Sequence, residues 1–99
     1  MCGATAGGVS TDGVVLAGES VVQGVVTRSG EPVASAYVRL LDSNGEFTAE
    51  VPTSATGQFR FFAAPGTWTL RTLAPGASVV DRRVVASTGS VVEVGVELG

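Results

Sequence analysis

Ninety-nine residues with 44% hydrophobic and 15% charged content suit one domain built on one core. The formal charge is −3, carried with six arginines and no lysine, which excludes the basic footprint that nucleic acid or an anionic membrane surface requires. The apolar runs are short, far below the about 20 residues that cross a bilayer as a helix.

Residues 1–18 are small and Gly-rich and read as a leading tail, in which residues 14–16 have the composition to add a short strand. No basic segment precedes an apolar one there, so the start does not read as a secretory leader. The single cysteine, Cys2, cannot form an internal disulfide. Both features predict a cytoplasmic protein.

From residue 19 to 99 the chain reads as one β domain. Short apolar-alternating runs span 20–28, 36–42, 46–51, 58–63, 67–74, 79–86 and 90–98. Each break between them carries Gly, Pro or both, which supply positive φ or a fixed φ. Seven such runs, with no helical periodicity, predict an all-β, antiparallel Greek-key sandwich.

Two turns set expectations for register. Asn44-Gly45 is the preferred pair for a two-residue type I′ turn. It places Arg39 opposite Glu50, Val38 opposite Val51 and Leu40 opposite Ala49. Pro65-Gly66 is read as closing a second hairpin, in which Phe61 meets Leu70, Ala63 meets Trp68 and Arg60 meets Arg71. In the last run Val92, Val94, Val96 and Leu98 face one way and Glu93 and Glu97 the other. The expected core is Val26, Val33, Val38, Leu40, Phe47, Val51, Phe59, Phe61, Trp68, Leu70, Val94 and Val96.

Several segments carry a resemblance. Gly24-x-Val26, Gly30-Glu31-Pro32-Val33, Ala36-x-Val38-x-Leu40, Thr56-Gly57-Gln58-Phe59-x-Phe61 and Pro65-Gly66-Thr67-Trp68-Thr69-Leu70 resemble carboxypeptidase regulatory-like domains, which are transthyretin-like sandwiches. The stretches 38–51 and 59–71, with the Met1-Cys2 start, resemble more closely the small actinobacterial SseC proteins (DUF 1416), which are labelled as sulfur-metabolism proteins. That resemblance implies a neighbourhood of rhodanese-type thiosulfate sulfurtransferases. It carries no catalytic residue.

The chemical inventory is thin. With no histidine and no lysine, the commonest general base and Schiff-base nucleophile are absent, and Ser-His-Asp or Cys-His arrangements are impossible. No dinucleotide, phosphate-loop or paired-cysteine motif occurs, and the acids stand singly among turns and outward positions. No enzyme activity, metal or cofactor is expected. Three features stand out. Cys2 becomes the N-terminus if Met1 is removed, and its thiol, lowered by the adjacent α-ammonium, could accept a sulfane sulfur. Arg60 and Arg71 form a like-charged pair that an anion or a partner's carboxylates would neutralise. Tyr37, Leu41 and Phe62 share the outward face with Arg39, Arg60 and Arg71, a composition suited to a protein interface.

Three functions compete on these grounds. One is a non-catalytic accessory protein that docks a sulfurtransferase. Another is a sulfur carrier using Cys2. The last is a plain structural or homo-oligomerising module.

Overall fold

The computed structural model describes residues 4–6 and 20–99. Among them every regular element is a strand: β1 (Ala4–Ala6), β2 (Ser20–Arg28), β3 (Glu31–Pro32), β4 (Tyr37–Leu41), β5 (Phe47–Pro52), β6 (Gln58–Ala63), β7 (Gly66–Leu73), β8 (Val80–Ala86) and β9 (Val91–Leu98). The seven expected runs are all strands. The additions are the two-residue β3 and β1, which lies in the segment read as a tail and pairs with β6. Cys2 and residues 14–16 lie outside the described residues.

The strands form two sheets that enclose the core. In the five-stranded sheet β6 lies between β1 and β2, while β3 and β9 also pair with β2. The four-stranded sheet runs β5-β4-β7-β8. Pairing is antiparallel throughout except between β2 and β9, which run parallel over Val21–Arg28 and Val91–Leu98. Tight turns fix direction only between consecutive strands. β2 and β9 are far apart in sequence, so no turn constrains them.

The β4–β5 hairpin has the expected pairs Val38–Val51, Arg39–Glu50 and Leu40–Ala49, but a different turn. The Asp42 amide donates to the Glu46 carbonyl, and the Asp42 carboxylate accepts from the Asn44 and Glu46 amides. Gly45, at φ 82°, closes this longer loop. A bulge between Leu40 and Leu41 then absorbs one residue of β5, so Leu41 pairs with Phe47 and the expected register returns beyond it. The same bulge inverts the facing of Phe47. Phe47 was expected in the core and is 62% exposed.

The second expected hairpin does not form. β6 pairs with β1 and β2, whereas β7 pairs with β4 and β8. Ala64-Pro65 therefore carries the chain across from one sheet to the other. Trp68 secures the arch by donating its indole N–H to the Ala64 carbonyl at 2.9 Å. Phe61 and Leu70 both point inward, but from opposite sheets, so Arg60 never meets Arg71.

The core joins Val22, Val26, Phe59, Phe61, Ala63, Val94, Val96 and Leu98 from one sheet to Val38, Leu40, Trp68, Leu70, Val84 and Ala86 from the other. Val33 and Val51, expected as core, are only partly buried against it. At the open side between β8 and β9, Arg82 reaches across and donates to the Gly95 carbonyl at 2.7 Å.

Thr53 holds the connection between β3 and β4. Its hydroxyl donates to the Val33 carbonyl at 2.7 Å and accepts from the buried Ala36 amide at 3.0 Å. Its own amide donates to the Ala36 carbonyl. Thr53→Val keeps the shape and removes both side-chain bonds. It is expected to cost about 1–3 kcal/mol, because an inward-facing amide and carbonyl lose partners. Urea unfolding checks this, and a change below about 0.5 kcal/mol would show the hydroxyl to be dispensable.

A carboxylate pins the β2–β3 turn. Ser29 and Gly30 both have positive φ, 52° and 82°. Glu97 on β9 accepts from the Thr27 hydroxyl at 2.5 Å and from the Ser29 amide at 2.8 Å. The Thr27 bond, aided by the Ser29 and Gly30 amides, holds the Glu97 carboxyl below its ordinary pKa. A group depressed in the folded state stabilises in full above the unfolded-state range and loses that contribution as acid protonates it. The gap in urea midpoint between the parent and Glu97→Gln is therefore expected to be open above the ordinary carboxylate range and to close as acid protonates Glu97 below that range. An equal gap at both ends would contradict a charge-based role.

Candidate functional site

The outer face of the four-stranded sheet gathers most of the chemistry. Register sets Glu50, Arg39, Arg71 and Asp81 side by side across β5, β4, β7 and β8. The two arginines occupy the centre and a carboxylate flanks each. Arg39 Nε donates to Glu50 Oε2 at 2.8 Å. Arg71 grips Asp81 with two bonds, Nε to Oδ1 and Nη2 to Oδ2, both at 3.0 Å. This fork holds the Asp81 carboxyl below its ordinary pKa and Arg71 above its own, the direct hydrogen bond being the main cause in each. The side chains of the two pairs are about one-third to one-half exposed, so solvent screens them and each pair adds little stability. Their importance lies in ordering four charges into a row.

The next row holds Phe47, Leu41, Thr69 and Arg83, and the one beyond it pairs Thr67 with Val85. On the far side of the charges lie Pro52, Tyr37 and Leu73. Tyr37 is 49% exposed, Phe47 62% and Val85 63%, so three of the five exposed large hydrophobics among the described residues share this face. Leu41 also lies on it, but is only 5% exposed. It was expected as an exposed contact and instead forms the floor of an open cleft of about 480 Å³ lined by Gly45, Thr69, Arg71, Asp81 and Arg83.

The outer face of the five-stranded sheet holds the other predicted residues. Arg60 Nε donates to Gln23 Oε1 at 3.0 Å, and Gln23 Nε2 donates to Glu93 Oε2 at 2.6 Å. Phe62 lies across from Val21, which in turn pairs with Val91. The expectation of one surface joining Tyr37, Leu41 and Phe62 to Arg39, Arg60 and Arg71 is thus corrected. Phe62 and Arg60 are on one sheet, and the other four residues are on the opposite sheet. The reason is the arch at Pro65, which moves β7 off the sheet that holds β6. Arg71 does face a like charge, but that charge is Arg39 rather than Arg60.

Sequence reasoning missed Arg83, Phe47 and Val85 as members of this face. In the structure Arg83 lies opposite Thr69 and Val85 opposite Thr67. A two-residue turn at Pro75-Gly76 would shift that register by one residue, so the turn alone does not place them. Among the described residues no group of Cys, Asp or Glu side chains is arranged to hold a metal ion.

The fold recurs among solved structures. The chain is similar to the major pilin subunit of Bacillus cereus, with a TM-score of 0.69 and 19% identity, over 81% of this chain and 28% of that one. It is also similar to catechol 1,2-dioxygenase from Pseudomonas arvilla, with a TM-score of 0.66 and 13% identity, over 88% of this chain and 54% of that one. At such identities the likeness is one of fold alone. Sequence relatives are much nearer. An uncharacterised protein of Mycolicibacterium smegmatis is 56% identical over 79 residues, 79% of this chain and 86% of that one. An uncharacterised protein of Mycobacterium tuberculosis is 54% identical over 86 residues, 86% of this chain and 85% of that one. The family model for proteins of unknown function DUF1416 matches residues 2–98, and the chain belongs to that family.

Proposed function

We propose that this domain is a non-catalytic binding module that docks a protein partner through the outer face of its four-stranded sheet. The observation that carries the reading is the composition of that face, a Glu50–Arg39–Arg71–Asp81 row bordered by exposed Tyr37, Phe47 and Val85. Aromatic and apolar anchors beside arginine are what protein interfaces enrich. Rigid strands hold these side chains in place before binding, which lowers the ordering cost.

The row also bears on which partner fits. Two copies stacked face to face about a two-fold axis through the centre of the row, along or across the strands, set arginine over arginine and carboxylate over carboxylate. Like charges at that spacing oppose association, so the face disfavours that centred self-pairing. The resemblance to sulfur-metabolism proteins supports a rhodanese-type sulfurtransferase in the cytoplasm as the partner.

Calorimetric titration of the domain with a purified thiosulfate sulfurtransferase tests the reading. The double substitution Phe47→Ser, Val85→Ser is expected to weaken binding by about tenfold or more. Phe62→Ser, on the opposite sheet, is expected to leave it unchanged. Absence of binding by the parent, or equal loss in both variants, would overturn the proposal.

A further inference from the structure

The cleft over Leu41 has a property that the rest of the face lacks. Its floor is apolar and nearly sealed, since Leu41 is 5% exposed. Its rim holds two guanidiniums but only one carboxylate, Asp81. Arg71 uses Nε and Nη2 on Asp81, which leaves the Nη1 edge of its fork outside that pair. Arg83 lies diagonally across from Arg71 on the same face, beside Thr69. Among the described residues the Arg83 side chain forms no hydrogen bond or ion pair. The lining therefore carries one unmatched positive charge in a protein whose overall charge is −3.

We propose that this cleft is a carboxylate-binding site. The Arg83 guanidinium, the open edge of Arg71 and the Thr69 hydroxyl line the cleft and supply the donors, above Leu41. A planar guanidinium fork matches a carboxylate with two parallel bonds. One unmatched charge calls for a monoanion, because a second negative charge would meet Asp81. Asp81 is already committed to Arg71, so it cannot neutralise Arg83 in the ligand's place. The carboxylate comes either from a small organic acid or from an acidic side chain of the docked protein. The second source rests on the docking reading above, and the first does not.

NMR titration of the isolated domain separates these sources. One arm uses acetate. The other uses a blocked hexapeptide with a single glutamate among apolar residues. Saturable shifts confined to Leu41, Gly45, Thr69, Arg71 and Arg83 support the site. Saturation by acetate assigns it to small acids, and saturation by the peptide alone assigns it to an acidic side chain. Arg83→Gln is expected to weaken either ligand about tenfold while leaving the unfolding midpoint unchanged, since the Arg83 side chain makes no internal bond. Arg82→Gln serves as the charge-matched control and is expected to keep full ligand binding. Linear shifts spread over several arginines, or equal weakening in both variants, overturn the site. The titration needs no protein partner, so its failure is separate from failure of the docking reading.

Discussion

Gly24→Ala is expected to destabilise the domain by about 3 kcal/mol or more. Gly24 sits in the middle of β2, between β6 and β9. A Cβ built there would lie 1.7 Å from the Val94 carbonyl oxygen and 2.9 Å from Phe59 Cζ. The first of these atoms is backbone, so no rotamer change relieves the clash. The parallel strand β9 must move away, and its ladder to β2 must loosen along with the Val94–Val96–Leu98 side of the core. A domain of this size is stable by about 5–15 kcal/mol, so the loss is a large share of the total. Gly95 supplies the control. It follows Val94 on β9, and a Cβ there meets nothing within 4 Å. Gly95→Ala is expected to stay within about 0.5 kcal/mol of the parent. Urea unfolding of the two variants measures the contrast. Equal midpoints would show that β9 does not press on β2 as described.

Phe61→Ala is expected to cost about 3–5 kcal/mol. The Phe61 ring is fully buried and lies 6.3 Å from that of Phe59, tilted by 53°. Both rings point from β6 toward the strands of the opposite sheet. Removing Phe61 leaves a cavity that close-packed neighbours cannot fill without moving. Phe62 follows directly in sequence but faces outward and is half-buried. Phe62→Ala is expected to cost less than about 1.5 kcal/mol. This neighbouring pair isolates facing from residue type, because only the side of the sheet differs. A larger loss at Phe62 than at Phe61 would reverse the assignment of inside and outside for the whole strand.

Particular residues show how far the chain announces this structure. Strand positions were legible because turn chemistry and two-residue alternation are local properties. β9 is the clearest instance, with Val94, Val96 and Leu98 buried and Glu93 and Glu97 exposed. Sheet membership was not legible. Phe61 and Leu70 point inward whether Pro65-Gly66 closes a hairpin or an arch, so alternation satisfies both topologies. The β4–β5 hairpin is a subtler case. The Asp42-anchored loop is longer than the expected two-residue turn, and the bulge on β5 compensates for it. Correct pairs at Arg39–Glu50 therefore followed from an incorrect turn, and only the outward position of Phe47 betrays the difference. The parallel β2–β9 pairing has no local signal, since its two strands are distant in sequence. The candidate surface inherits these facts. Parity alone places Arg39, Arg71 and Tyr37 outward, whereas the sheet that carries Arg60 and Phe62 depends on whether Pro65-Gly66 closes a hairpin or an arch.

On the proposed docking, the four-stranded sheet presents the binding face and the five-stranded sheet does not. Methyl-detected cross-saturation from an unlabelled thiosulfate sulfurtransferase onto the labelled domain addresses it directly. The methyls of Val85, Leu41 and Leu73 report one face, and those of Val25 and Val91 report the other. Signal loss at Val85, Leu41 and Leu73 with Val25 and Val91 unchanged is the predicted result. Loss centred on Val25 and Val91 would contradict it.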